Sequence, residues 1–196
     1  MADIKSAREI AMEKVKELGE ATAEERLKWK YTPQGEELAA RYLKEDCNLA
    51  AELSRHQGNV RKYVSGGAAE VLIRNIGLPK NEVAKKNNKK IMDGLKLLKS
   101  DKAKVENVYS QLRHLFNHYT EQGEQQRKQA YQSLKSDIEA KLQQAMQQQM
   151  GLMARANIDV ERQPQFQQEW RKLLAQLDSQ YLNLLDEYKR ELSEIT

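Results

Sequence analysis

The stretch FQQEWRKLLAQLDSQYLNLLDEYKRELSEI, residues 166–195, places a large apolar side chain at every third or fourth position. The set is Phe166, Trp170, Leu173, Leu177, Tyr181, Leu184, Tyr188, Leu192 and Ile195. This spacing puts all of them on one face of an α-helix, as in a coiled-coil seam. We expect the helix to pack this face on another helix of the chain or on a second copy, with residues 166 to 192 of the set as the candidate interface.

A second stripe of the same kind runs through residues 101–150. Its members are Val105, Val108, Leu112, Leu115 and Tyr119 and, after a change of phase near Gly123, Tyr131, Ile138 and Leu142. An unbroken helix here would be roughly 70 to 75 Å long, at 1.5 Å per residue. The methionines of QQAMQQQMGLM, residues 143–153, continue the stripe, which favours adaptable packing over a soft-metal site. The glutamines between them can be buried against another helix more easily than charged residues.

These two stripes predict a long helical hairpin. The chain turns between Gly151 and Pro164, where Asn157 and Asp159 supply turn signals. The C-terminal helix then runs back antiparallel along residues 105–146. A cysteine pair placed near Leu142 and Leu173 should cross-link within one chain.

The first part of the chain reads as shorter helices. The spacing predicts one over residues 3–19, and TAEE, residues 22–25, has the spacing of a capping box. Leu27, Trp29 and Tyr31 alternate with charged residues as in a short extended piece, but no partner strand follows, so we interpret residues 27–31 as a helix end or linker. Thr32 and Pro33 look like the cap and first position of a further helix that reaches about residue 55.

A helix over residues 59–76 follows, loosened by Gly66 and Gly67. It ends where Gly77 can adopt a left-handed cap and Pro79 forbids continuation. We therefore predict an N-terminal helical segment over residues 1–79 and the long hairpin over residues 80–196, which together form either two units or one continuous domain.

Composition excludes several classes of protein. Of 196 residues, 32% are charged and 6% aromatic, which is typical of solvated helices and not of a thick globular core. The net charge of +4 does not by itself imply nucleic acid. One cysteine excludes an internal disulfide, so a reducing cytoplasm is expected. The N-terminus lacks the apolar core of a secretory signal, and no uncharged run is long enough to cross a bilayer.

Few residues suggest chemistry. His114 and His118 are four apart and share a helical face, but the glutamate of a catalytic zinc helix is missing, so exposed positions are favoured over a metal pair. The SGGA stretch, residues 65–68, lacks the strand and lysine of a phosphate loop and favours a helix kink. Cys47 is better explained as a small core residue than as a nucleophile. We therefore predict no enzyme activity, cofactor or metal.

The only marked charge asymmetry lies in residues 80–104, a segment that contains nine lysines and three acidic residues. The candidate polyanion-binding residues are Lys85, Lys86, Lys89, Lys90, Lys96 and Lys99. The first four project opposite Ala84, Ile91 and Leu95, so they either bind phosphates or an anionic lipid surface, or only solvate the back of an amphipathic helix. No aromatic residue or arginine interleaves them, which weakens the nucleic-acid alternative.

The opening IKSAREIAMEKVKEL, residues 4–18, and GEELAARYL, residues 35–43, resemble a family of uncharacterised bacterial helical proteins that begin with an I-K-S-x-x-E-[IL] helix. The resemblance covers about the first quarter of the chain. It implies a bacterial, cytoplasmic protein and assigns no activity or functional residue.

Together these observations predict an all-α, elongated helical bundle with a long antiparallel hairpin or coiled coil. The expected function is a structural or protein-interaction module that binds a protein partner or a second copy of itself. The alternative is an accessory protein that docks on nucleic acid or an anionic membrane through the lysine-striped helix. No small-molecule substrate is indicated.

Overall fold

The computed structural model describes residues 21–45, 47–150 and 159–195, and within these residues the regular structure is helical with no strand. The predicted all-α class is confirmed. We number the α-helices α1 (Ala23–Lys44), α2 (Leu49–Ser54), α3 (Gly58–Arg74), α4 (Glu82–Leu98), α5 (Lys102–Met150) and α6 (Pro164–Glu194). A short 3-10 helix, Val160–Arg162, precedes α6.

The chain divides into two compact units, Met1–Leu72 and Ile73–Thr196. The structure divides the chain between Leu72 and Ile73, so the boundary predicted at residue 79 falls inside the second unit. The helix predicted over residues 3–19 falls outside the described residues. So does most of the predicted turn, since residues 151–158 are not described.

The start of α1 is fixed by the predicted capping box. The Glu25 N–H donates to Thr22 Oγ1 at 3.2 Å, and the Thr22 N–H donates to a Glu25 carboxylate oxygen at 2.8 Å. From this start α1 continues through Pro33 to Lys44, so the prediction that Thr32 and Pro33 begin a new helix is wrong. Pro33 is exposed, and one lost backbone hydrogen bond does not end a helix that is already capped.

The end of α1 also differs from the prediction of one helix reaching residue 55. The helix stops at Lys44, and Asn48 opens α2 by accepting a hydrogen bond from the Ala51 N–H at 3.1 Å. Asparagine is among the best N-cap residues, which explains why a new helix begins here. Cys47 consequently lies between helices and is half-exposed, so its assignment as a core residue is wrong.

Two glycines let α1 and α3 approach at backbone distance. A methyl group at Gly35 would lie 2.0 Å from the Val64 carbonyl oxygen, and one at Gly67 would lie 2.2 Å from the Thr32 carbonyl oxygen. Gly66, by contrast, has open space where a side chain would be. The prediction that the glycine pair loosens α3 is therefore wrong for Gly67, which permits a close helix crossing inside a continuous helix.

The chain after α3 is held by a side chain and not by a left-handed glycine. Among the described residues only Gly58 has a positive φ, of 54°, so the left-handed cap predicted at Gly77 is wrong. Instead the Gly77 N–H donates to Asn88 Oδ1 at 3.1 Å, and Asn88 Nδ2 donates to the Gly77 carbonyl at 2.6 Å. Asn88 is buried within α4, so both polar groups of Gly77 are satisfied inside the second unit.

The helix α5 is continuous over 49 residues, about 73 Å, as predicted. It contacts α6 in antiparallel order. The Tyr119 ring lies 5.1 Å from Tyr181, and the Tyr131 ring lies 5.3 Å from Phe166 and 5.1 Å from Trp170. The residue number therefore falls along α6 as it rises along α5.

The predicted register of these two helices is wrong. Leu142 packs against the cluster of Ile138, Val160 and Phe166, whereas Leu173 lies beside Gln126, about 24 Å further along α5. The T-shaped contacts of Tyr131 with Phe166 and Trp170 fix the register, because such aromatic pairs stabilise one specific arrangement.

The glutamines of residues 143–148 are exposed, so the proposed burial of their amides is wrong for these described residues. Leu142 and Met146 are half-buried and continue the apolar stripe, as predicted. The remaining methionines of residues 149–153 fall where side chains are not described.

Candidate functional site

The apolar face of α6 divides into a buried part and an exposed part. Phe166, Tyr181 and Leu192 are buried, as the seam predicts, but Leu184 is 41% exposed and its neighbour Leu185 is only 2% exposed. A helix of 3.6 residues per turn drifts relative to a heptad repeat, so over several turns the buried position moves to the next residue. The remaining candidate interface residues, Trp170, Leu173, Leu177 and Tyr188, are half-buried.

The exposed part of the face borders a groove between α5 and α6. Its volume is about 500 Å³. The lining residues are Leu115, His118 and Gln126 from α5 and Leu173, Gln176, Leu177, Gln180, Tyr181 and Leu184 from α6. None of them is aspartate, glutamate, lysine or arginine, although 32% of the chain is charged. We call this surface the uncharged groove. Four predicted interface residues, Leu173, Leu177, Tyr181 and Leu184, lie along it.

A buried carboxylate holds the opposite side of the α5–α6 pair. Asp178 accepts an ion-paired hydrogen bond from Lys80 Nζ at 2.9 Å, and Arg127 lies 3.9 Å from its other oxygen, Oδ1. Oδ1 has no hydrogen-bond partner among the described residues. The side chain of Asp178 is 9% exposed, so the two cations compensate a charge that burial would otherwise make costly.

Aromatic rings connect the Asp178–Arg127 pair to the uncharged groove. The Arg127 guanidinium lies 4.1 Å from the Tyr119 ring centre, and burial, with the charge of Asp178, raises the pKa of Tyr119 to about 12. Tyr119 contacts Tyr181, whose hydroxyl lies 2.9 Å from His118 Nδ1. This network fixes Tyr181, which forms one wall of the uncharged groove.

The structure separates the six candidate polyanion-binding lysines. Lys85 pairs with Glu82 at 2.7 Å, and Lys96 pairs with Glu106 at 2.8 Å. Lys99 donates to the Ile195 carbonyl at the end of α6, and burial lowers its pKa. Lys86 and Lys89 are exposed, and Lys90 is half-buried. Lys99 therefore holds α6 in place and is not part of an open stripe.

Three of these lysines meet in a second groove, between α4 and α5. This groove has a volume of about 490 Å³ and is lined by Lys85, Lys89 and Lys96 together with Arg113. Its apolar lining includes Met92 and Phe116, both half-buried. We call it the basic groove. Sequence reasoning missed Arg113 and Phe116 because they belong to the neighbouring helix and come close to the lysines only when α4 packs on α5.

The other candidate residues carry little chemistry. His114 and His118 are both exposed, as predicted. In the described part of the chain no group of three or more histidine, cysteine, aspartate or glutamate side chains could hold a metal ion. Gly66 and Gly67 lie inside α3 and do not form a phosphate loop.

A family model described as a family of unknown function (DUF6657) matches residues 50–194, which is most of the chain. The chain belongs to this family. The match covers α3 to α6, so both grooves lie inside the DUF6657 region. The N-terminal motif that carries the resemblance noted above, residues 4–18, lies before the matched range. No curated protein and no solved structure matches the chain.

The DUF6657 description assigns no activity. None of the helices in the described ranges combines the length and apolarity needed to span a bilayer.

Proposed function

We propose that this protein is a helical interaction module and not an enzyme, and that α5 and α6 form an antiparallel hairpin which presents the uncharged groove to a partner. The observation that carries the proposal is the lining of that groove, which contains leucine, glutamine, tyrosine and histidine but no charged residue. Solvated helix surfaces normally carry charges, and depletion of charge is the compositional mark of interface cores.

The partner we propose is a second copy of the chain. The leucines Leu173, Leu177 and Leu184 supply apolar surface that a partner helix can cover. Gln126, Gln176 and Gln180 each carry a donor and an acceptor, so two copies of this surface can hydrogen-bond to each other across a twofold axis. A groove with charges of one sign would repel its own copy, whereas this one does not.

A substitution of Leu184 tests self-association through the uncharged groove. Leu184→Glu places a carboxylate in the uncharged groove, where a dimer would bury it without a cation, so the dimer dissociation constant should rise at least about tenfold, or 1.4 kcal/mol. Light scattering or sedimentation equilibrium at tens of micromolar should give a dimer for the wild type. It should shift toward the 22.7 kDa monomer for Leu184→Glu.

Leu182→Glu is the matched control, because Leu182 is 43% exposed on the same helix but lines the separate recess beside Asp178. It should leave the dimer intact. A wild type that is monomeric at these concentrations would refute self-association. A dimer whose dissociation constant rises no more in Leu184→Glu than in Leu182→Glu would refute the uncharged groove as the dimer surface.

A further inference from the structure

The basic groove is separate from the surface proposed for self-association, because no residue lines both grooves. Four cationic side chains border it, Lys85, Lys89, Lys96 and Arg113, against one acidic side chain, Asp93. Four cationic side chains against one acidic side chain give the lining of this groove a formal charge of +3.

The positive charges of this groove are only partly neutralised by ion pairs. Lys96 and Arg113 share one carboxylate, Glu106, at 2.8 and 2.6 Å, so two cations hold one negative charge. Lys85 pairs with Glu82, but both partners are substantially exposed, and such surface pairs are weak and screened by salt. Lys89 is exposed and has no ion pair within the described ranges.

The inner surface of the groove is apolar and firmly held. Phe116 and Met92 contribute to it, and Tyr109, which is fully buried, closes its inner end. The Tyr109 hydroxyl donates to the Met92 carbonyl at 2.7 Å, and the Lys96 ammonium lies 5.6 Å from the centre of the Tyr109 ring. A ligand that fits must therefore combine anionic groups with a flat or apolar body.

We propose that the basic groove binds single-stranded nucleic acid, with phosphates on the cationic rim and one base against Phe116 and Met92. Lys85 and Lys96 are separated by about 16 Å along α4, which is long enough to follow several phosphates of a strand. A positively charged groove with an accessible aromatic ring is the recurring arrangement of single-strand binders. The groove volume of about 490 Å³ admits one unstacked base. The bases of a double helix stay stacked within the helix, so they cannot enter the groove.

An anionic membrane fits this geometry less well. The rim cations surround a concave recess that a planar bilayer cannot enter, and Lys86, from the same stripe, lies outside the groove. A membrane would use the convex lysine face as a whole, so it would not distinguish lysines inside the groove from lysines outside it.

The test is fluorescence anisotropy with a labelled oligothymidylate of about 15 nucleotides, titrated with the full chain at about 50 and about 200 mM salt. The groove variant is Lys89→Gln, Lys96→Gln and Arg113→Gln. The matched control removes the same charge from exposed positions of the same unit outside the groove, with Lys86→Gln, Lys128→Gln and Lys141→Gln. Thermal unfolding of both variants checks that the fold is retained.

We expect the groove variant to lose at least about tenfold in affinity for the oligothymidylate. Its affinity should also depend less steeply on salt, with the slope of log K against log salt less negative by up to about 2. The control variant should lose no more than about twofold. Phe116→Leu, which keeps an apolar side chain but removes the ring, should weaken oligothymidylate binding and leave binding of inorganic polyphosphate unchanged.

Three results would overturn the proposal. The first is no binding by the wild type at the lower salt concentration. The second is an equal loss in the groove and control variants, which would indicate diffuse charge attraction. The third is binding to phosphatidylserine vesicles without binding to the oligonucleotide, which would identify the lysine face as a membrane surface.

Discussion

Replacing Gly35 by alanine should destabilise the first unit by about 3 kcal/mol or more. The added methyl group would lie 2.0 Å from the Val64 carbonyl oxygen, which is a backbone atom and cannot rotate away. The helices α1 and α3 would have to separate, and the buried Leu38 and Ala39 beside this crossing would lose packing. Gly67→Ala should act in the same direction, since its methyl group would meet the Thr32 carbonyl oxygen at 2.2 Å.

Gly66→Ala is the control within the same helix. It has no atom within 4 Å of the added group, so the higher helix propensity of alanine should stabilise α3 by about 0.5 to 1 kcal/mol. Thermal and denaturant unfolding of the full chain, followed by circular dichroism, would measure all three variants. If Gly35→Ala were as stable as Gly66→Ala, the close crossing of α1 and α3 would be wrong.

Replacing Asn88 by alanine should destabilise the second unit by about 2 to 4 kcal/mol. The substitution removes the partner of both the Gly77 N–H and the Gly77 carbonyl. Because Gly77 is half-buried, each of these two polar groups should cost about 1 to 2 kcal/mol, the lower part of the range for a buried polar group without a hydrogen bond. The segment that joins α3 to α4 should also become accessible, so hydrogen exchange at Gly77 should accelerate.

The adjacent Asn87→Ala is the matched control, because Asn87 is exposed on the same helix and should tolerate alanine at little or no cost. Asn88→Asp separates the two bonds. An ionised carboxylate still accepts from the Gly77 N–H but repels its carbonyl, whereas a protonated one can donate to it. Stability of this variant should therefore recover as the pH falls toward about 4. Equal stability of Asn88→Ala and Asn87→Ala would contradict a stabilising role for the two hydrogen bonds between Asn88 and Gly77.

The sequence alone was sufficient for the features that depend on local spacing. The apolar stripes of α5 and α6 repeat over many turns, and the capping box at Thr22 is a local signal, so their helical character follows from periodicity and capping. The burial of Leu185 in place of Leu184 does not, because a small drift in helical phase decides between neighbours. The register of α5 on α6 depends on how individual aromatic rings fit, which no spacing reveals.

The buried polar residues Asn88 and Asp178 occupy positions that the sequence pattern marks as buried. Asn88 lies four residues after Ala84 and three before Ile91, in phase with the apolar stripe of α4, and Asp178 lies three before Tyr181 on the apolar side of α6. A polar residue in the phase of a buried stripe points to a hydrogen-bonded or ion-paired role. Its partners, Gly77 for Asn88 and Lys80 for Asp178, are distant in sequence and were not predictable.

The close approach of glycines at Gly35 and Gly67 is also a tertiary property. Single glycines in a helical pattern are read as weak points or caps, and only the position of the facing helix shows that a side chain would clash. The same holds for the basic groove, whose lysines were recognised on α4 but whose Arg113 and Phe116 come from α5.

The antiparallel pairing of α5 and α6 within one chain is the claim on which the uncharged groove depends, and cysteine cross-linking tests it most directly. In a Cys47→Ser background, Glu124→Cys and Ala175→Cys place thiols on the two helices along the recess that also contains Asp178. A short bismaleimide should link them within one chain, so the product should run as a monomer on a denaturing gel, carry one cross-linker per 22.7 kDa chain by mass spectrometry and have no free thiol left. The pair Leu142→Cys and Leu173→Cys, about 24 Å out of register, should not link. Linked dimers alone from the first pair, or efficient linking of the second, would contradict the pairing.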